Sequence, residues 1–70
     1  MPDTERIWTK EEIMGLGATT DLVTAGQILG KGRTTSYKLA KRGEFPVEAE
    51  RLGGEWFVRV YDLLRYLRML

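Results

Sequence analysis

The fold is decided by the stretch that reads DLVTAGQILGKGRTTSYKLAKRG, from Asp21 to Gly43. Its first half carries small and apolar residues at offsets of three and four, which predicts a helix from about Leu22 to Leu29 with Asp21 as N-cap. Its second half predicts a helix from about Arg33 to Arg42 that ends at a glycine. The turn between them, at residues 30–32, contains two glycines. Two short helices joined in this way are typical of a helix-turn-helix.

The second of these helices has an apolar face and a polar face at about 100° per residue. The face predicted to point inward carries Ser36, Tyr37, Leu39 and Ala40. The face predicted to point outward carries Thr34, Thr35, Lys38, Lys41 and Arg42. In the first helix the inward stripe includes Gly26, and the lack of a side chain there permits a second helix to approach closely.

Charge is distributed unevenly, although the net charge is only +1. The basic residues between positions 31 and 42 have no acidic residue among them, and they are Lys31, Arg33, Lys38, Lys41 and Arg42. A phosphate backbone is attracted to a positive field of this kind. A solvated surface with acidic residues nearby in space explains the same run, so the charges alone favour neither explanation.

A β-hairpin is predicted after the second helix. Two runs, at about 47–52 and 55–60, flank Gly53-Gly54, and a two-residue glycine turn predicts tight antiparallel pairing. The expected cross-strand pairs are Leu52 with Glu55, Arg51 with Trp56, Ala49 with Val58 and Glu48 with Arg59. The face assigned to the core carries Val47, Ala49, Trp56, Val58 and Val60. Phe57 then lies on the opposite face, so either the register is shifted by one residue or another element covers this ring.

The two ends of the chain are predicted to be helical. A Thr9–Glu12 capping box predicts a short helix from about Lys10 to Leu16, followed by a polar connection at 18–21. A final helix is expected at about 61–70, with a buried stripe of Val60, Leu63, Leu64, Leu67 and Leu70. The fold class is therefore mostly α with a small β-hairpin, a winged helix-turn-helix. Residues 1–20 are expected to form an N-terminal extension, and residues 21–70 the winged helix-turn-helix domain.

Enzymatic chemistry has little support in these residues. The chain has no Cys and no His, so disulfides, Cys/His metal sites and the usual nucleophile–base pairs are impossible. The Gly26–Lys31 stretch has three residues between its glycines where a phosphate loop has four, and Gly32 follows where that loop needs Ser or Thr. We therefore expect no catalytic residue, metal, cofactor or small-molecule substrate.

A membrane or secretory protein is not expected either. No apolar run approaches the roughly 18–20 residues of a membrane span, and the first residues lack the order of a signal peptide. Together with the lack of Cys, these features predict a cytoplasmic protein with no membrane partner.

Several segments together resemble the excisionase-type winged-helix family, which belongs to the MerR-like DNA-binding domains. They are the helix 21–30, the segments Arg33-Thr-Thr-Ser-Tyr37 and Arg42-Gly-Glu-Phe-Pro46, the wing Gly53-Gly54-Glu55-Trp56, and Asp62-Leu63-Leu64. The resemblance covers about residues 21–67. Gly26 and Ser36 depart from the family, which more often has Ala and a larger apolar residue there. Glu55 stands where a basic residue is common at the wing tip, which weakens the case for phosphate contact at the tip.

The resemblance implies a recombination directionality factor of a phage or integrative element. Such a protein binds duplex DNA at an attachment site, assembles with copies of itself, and directs an integrase from integration toward excision without covalent chemistry. Relatives of the same fold regulate transcription, which is the first alternative. A protein-interaction adaptor that uses Trp8, Phe57, Tyr66 and Met69 as an apolar patch is the second alternative.

If DNA is the partner, a recognition helix places its N-terminal residues at base edges of the major groove. That expectation selects Arg33, Thr34, Thr35 and Lys38 for base or phosphate contact. Lys41 and Arg42 are expected to hold phosphates, with Lys31 in the turn as a weaker candidate. On the hairpin, Arg51 and Arg59 are expected either to meet the DNA or to make only cross-strand pairs.

Overall fold

The computed structural model describes residues 7–70 and contains four helices and three strands in this part of the chain. In chain order they are α1 (Lys10–Met14), β1 (Thr19–Asp21), α2 (Leu22–Ile28), α3 (Arg33–Lys41), β2 (Ala49–Leu52), β3 (Glu55–Arg59) and α4 (Val60–Tyr66). The predicted winged helix-turn-helix, mostly helical with a small sheet, is confirmed. None of the helices in residues 7–70 is long and apolar enough to cross a membrane.

The strands form one antiparallel sheet in the order β1-β3-β2. The predicted hairpin register is confirmed, since Arg51 pairs with Trp56 and Ala49 with Val58. Phe57 accordingly lies on the outer face, where it is half-buried between its two strand partners, Asp21 and Glu50. The third strand, and not a shifted register, accounts for its partial burial.

Strand β1 corrects the expectation that residues 18–21 form a polar connection. Thr20 pairs with Val58 across β1 and β3, and the Ala18 carbonyl accepts a hydrogen bond from the Val60 amide at 3.0 Å. A strand of three residues is too short to show an alternating pattern, so local sequence does not reveal it. Its threonines are nevertheless suited to a strand.

Side-chain caps begin the first two helices as predicted. At α1 the Thr9 hydroxyl accepts a hydrogen bond from the Glu12 amide at 3.1 Å, and the Glu12 carboxylate accepts one from the Thr9 amide at 2.9 Å. At α2 the Asp21 carboxylate accepts hydrogen bonds from the Thr24 amide at 3.0 Å and from the Thr24 hydroxyl at 2.7 Å. These caps satisfy helix amides that otherwise have no backbone partner.

The core lies between the helices and one face of the sheet. Its most deeply buried apolar side chains are at most 1% exposed and come from three helices and one strand: Ile13, Leu22, Ala25, Val58 and Leu63. Because Ile13 of α1 is among them, the first helix belongs to the same core as the helix-turn-helix. Gly26 of α2 and Ser36 of α3 are buried where those two helices meet.

Helix α4 ends at Tyr66, earlier than predicted, and the expected burial of Leu70 is wrong because that side chain is 63% exposed. The chain leaves the helix at Arg68, which has a φ of 59°. The Met69 amide then donates to the Leu64 carbonyl at 2.8 Å. A glycine is the usual signal for such an ending, and none is present here.

Candidate nucleic-acid interface

The outward face of α3 is built as the helical wheel predicts. Ser36 and Ala40 are buried against the rest of the domain. Arg33, Thr34, Thr35, Lys38, Lys41 and Arg42 are all exposed, while Lys31 in the preceding turn is half-buried. The helix therefore presents cations and hydroxyl groups to solvent along its whole length.

No carboxylate of residues 7–70 pairs with the cations of this face. Within residues 7–70, none of the basic side chains between positions 31 and 42 is within ion-pair distance of a carboxylate. The alternative, a solvated surface with acidic residues nearby, is therefore not supported by any ion pair among residues 7–70. An unpaired cationic surface attracts a polyanion and exchanges its counterions for phosphates.

The start of α3 also leaves its polar groups free for a ligand. Gly32 is the N-cap and supplies no side chain, and the Ser36 hydroxyl donates inward to the Gly32 carbonyl at 2.8 Å. In the described part of the chain, the hydroxyl groups of Thr34 and Thr35 make no hydrogen bond, so they do not cap their own helix. Backbone amides and hydroxyl groups at a helix N-terminus are suited to phosphate contact.

The two arginines of the wing lie on opposite faces of the hairpin. The Arg51 guanidinium lies 5.5 Å from the centre of the Trp56 ring, on the face that continues into the core. Arg59 lies on the outer face, in close ion-pair contact with Glu50 and 3.8 Å from Glu48. Arg59 thus makes the cross-strand ion pair that was expected as the alternative to DNA contact. Arg51 has no carboxylate partner among residues 7–70.

The family model of the helix-turn-helix domain matches residues 24–70, about two thirds of the chain. The chain belongs to the helix-turn-helix domain family. The match includes the whole of α3 and the wing, and it supports a DNA-binding domain of a kind that is typically not enzymatic. No curated protein and no solved structure matches the chain.

One residue of the helix-turn-helix surface was missed by the sequence analysis. Tyr37 is half-buried and packs against the core, as predicted, but its ring also lines a shallow depression on α3. The other residues of the depression are Arg33, Thr34, Lys38 and Lys41. The signal was available, because Tyr37 stands four residues from both Arg33 and Lys41 and so shares their strip of the helix.

Carboxyl groups are the remaining candidates for a functional site in the described part of the chain. Among residues 7–70, no group of three or more carboxylates is placed to hold a metal ion. Burial would raise the pKa of the Asp21 carboxyl, but the hydrogen bonds with which it caps α2 lower it, so its role as a helix cap accounts for the shift. The surface of α3 is therefore the strongest candidate for function.

Proposed function

We propose that this helix-turn-helix protein binds duplex DNA with sequence specificity, with α3 in the major groove. The observation that carries the proposal is the face of α3, on which exposed cations and hydroxyl groups lie with no carboxylate paired to them among residues 7–70. An α-helix fits the width of the major groove, and base edges there carry a unique pattern of donors and acceptors.

Each side chain of this face has a role that follows from its place along the helix. Arg33, Thr34 and Thr35 occupy the first turn, where base edges come within reach, and Lys38 follows in the middle of the face. Arg33 is suited to a guanine because its two donors match the O6 and N7 acceptors. Lys41 and Arg42 lie at the far end and contact phosphates, with Lys31 in the turn as an additional phosphate contact.

Within DNA binding we propose an excisionase-like role. The protein binds attachment-site DNA, assembles with further copies of itself there, and directs a partner integrase toward excision. This proposal rests on the resemblance of residues 21–67 to the excisionase-type family. A small winged-helix regulator of transcription uses the same face, so the two are separated only by adding the integrase. Excision that depends on this protein supports the first role, and repression or activation without excision supports the second.

The first experiment is a gel shift with duplex DNA from the protein's own genomic neighbourhood, with and without excess competitor. Discrete complexes that survive competitor support sequence-specific binding, and a cooperative ladder supports assembly on DNA. Affinity should fall steeply with salt, with a slope of about −0.9 in log–log form for each phosphate contact. The absence of any shift at micromolar protein in low salt would contradict DNA binding.

The alternative function is that of a protein-interaction adaptor, and an apolar groove on the surface favours it. The patch expected from sequence is not assembled, because Trp8 and Met69 pack against the core. A different apolar groove exists instead, and its large exposed apolar side chains are those of Met14, Tyr61 and Leu70. Binding of a protein partner through this groove would depend little on salt, which distinguishes it from the DNA contact.

A further inference from the structure

We propose that Trp56 is a positioning residue that holds Arg51 for contact with the phosphate backbone beside the site of α3. The proposal rests on the DNA-binding function proposed above and extends the interface from the recognition helix to the wing. It also assigns different tasks to the two wing arginines, since Arg59 serves the fold and not the DNA.

The geometry of the Arg51–Trp56 pair carries the proposal. The two residues are directly opposite in the register of β2 and β3, so their side chains leave the sheet on the same face. The guanidinium lies 5.5 Å from the centre of the indole ring, within the range of a cation–π contact. Trp56 is half-buried and packs against the core, whereas Arg51 is exposed. A fixed aromatic ring thus restricts a long, mobile side chain without covering its donors.

The Arg51–Trp56 pair lies on the face of the sheet that is directed toward the helices. The face of the sheet that carries Trp56 also carries Val58, which is fully buried under the helices. Arg51 therefore projects from the wing on the side of the sheet where the helices lie. A guanidinium there can form a two-pronged contact with a phosphate, for which its planar donors are suited.

The opposite face of the wing is unsuited to phosphate. Glu48, Glu50 and Glu55 share it, and its one cation, Arg59, is already engaged by Glu50 and approached by Glu48. A phosphate approaching this face would meet carboxylates and a cation that is already paired. The wing therefore has one orientation in which it can approach the backbone, with Arg51 toward the DNA.

A double-mutant cycle tests the assignment, with affinity and its salt dependence as readouts. Arg51→Ala should lower the magnitude of the log–log salt slope by about 0.9 and weaken binding about fourfold at about 0.2 M salt, as the loss of one phosphate contact predicts. Trp56→Leu keeps an apolar side chain but removes the ring, and should reproduce most of this loss. In the Arg51→Ala background, Trp56→Leu should add little. Trp56→Phe, which keeps an aromatic face, should restore most of the affinity.

Arg65→Ala is the matched control, because the Arg65 guanidinium also lies over an aromatic ring, that of Tyr61 at 6.0 Å, but on α4 and not on the hairpin. It should leave the salt slope unchanged. An Arg51→Ala slope equal to that of the wild type would overturn the proposal. A Trp56→Leu loss that persists without Arg51 would show instead a role in the fold alone.

Folding and the broader DNA-binding proposal can both be separated from this result. If Trp56→Leu does not unfold cooperatively on heating, Arg51→Lys is measured in its place. Lysine keeps the positive charge of Arg51 but loses the planar stack and the two-pronged contact. Affinity for DNA equal to that of the wild type in Arg51→Lys would then show that a positive charge suffices, and would overturn the stacked, two-pronged arrangement. Binding that is lost in Lys38→Ala but unchanged in Arg51→Ala rejects only the role of the wing, whereas no binding by the wild type rejects the proposed function.

Discussion

Gly26 and Ser36 are in direct contact where α2 crosses α3, and no other side chain separates them. A Cβ atom added to Gly26 would overlap the Ser36 hydroxyl and lie 3.1 Å from the Ser36 Cβ. Ser36 is fully buried, and its hydroxyl donates back to the Gly32 carbonyl at 2.8 Å. The contact therefore sets how closely the recognition helix approaches the helix before it. They are also two of the three positions, with Glu55, at which the sequence departs from the family that it resembles.

Gly26→Ala should destabilise the protein. Alanine is the better helix former by about 1 kcal/mol, but the added methyl group overlaps the Ser36 side chain and also comes within 3.3 Å of the Lys31 carbonyl. Overpacking of this kind costs about 1–3 kcal/mol, so we expect a net loss of free energy of unfolding. Thermal or denaturant unfolding followed by circular dichroism measures it.

Overlap with the Ser36 hydroxyl is the expected cause of this loss, and it is tested by combining Gly26→Ala with Ser36→Ala. Removing the hydroxyl relieves the overlap in part, so Gly26→Ala should cost less in the Ser36→Ala background than in the wild type. A Gly26→Ala variant at least as stable as the wild type would mean that α2 and α3 can separate freely.

Stability at acidic pH should depend on Asp21. Burial by itself would raise the pKa of this carboxyl, but hydrogen bonds from the Thr24 hydroxyl and from the amides of Thr24, Asp21 and Val23 hold it below its ordinary value of 3.8. The carboxylate therefore contributes stability that is present above pH 3.8 and is lost as the pH falls through the lower folded-state pKa.

Two substitutions at Asp21 separate the contribution of helix capping from that of the titratable charge. Asp21→Ala removes the cap and should cost about 1 kcal/mol at neutral pH. Asp21→Asn keeps a capping oxygen but cannot titrate. Its free energy of unfolding should therefore fall less than that of the wild type as the pH is lowered from neutral through the folded-state pKa of Asp21. Thermal unfolding at several pH values measures both. Parallel acid profiles for the wild type and Asp21→Asn would exclude the carboxylate as a cause.

Arg68→Gly should stabilise the end of α4. Helices α2 and α3 end at glycines with φ of 79° at Gly30 and 70° at Gly43, whereas Arg68 adopts 59° at the equivalent place. A side chain in this left-handed region costs roughly 1–2 kcal/mol, part of which the greater freedom of glycine in the unfolded chain cancels. We expect a gain of about 0.5 kcal/mol, seen as a rise of a few degrees in Tm. A lower Tm would show that the arginine side chain makes a compensating contact.

Local signals explain why much of the fold could be predicted from the sequence. Asp21 identifies the start of α2 because capping needs only residues within one turn. Gly53-Gly54 sets the register of the hairpin because a two-residue turn leaves one pairing. The face of α3 follows from helical periodicity alone, and it is the part of the candidate site that sequence describes best.

Features that depend on distant residues could not be predicted. Strand β1 exists because Thr20 meets Val58, which is far away in the chain. The close contact of Arg59 with Glu50, where Glu48 was expected, depends on the twist and side-chain conformations of the sheet. The end of α4 at Arg68 lacks the glycine that would signal it. The pairing of Arg59 matters most for function, because it distinguishes the two arginines of the wing.

Lys38→Ala should weaken DNA binding about tenfold, since one base contact is worth about 1–3 kcal/mol. Lys38 is exposed, and the buried residues on either side, Ser36 and Ala40, hold α3 in place without it. Its removal should therefore change the free energy of unfolding by less than about 0.5 kcal/mol. Lys10→Ala removes the same charge from α1 and should leave affinity nearly unchanged. Equal losses in both variants would mean that net charge alone drives binding, and a Lys38→Ala variant that unfolds would mean that the outward face of α3 is wrongly assigned.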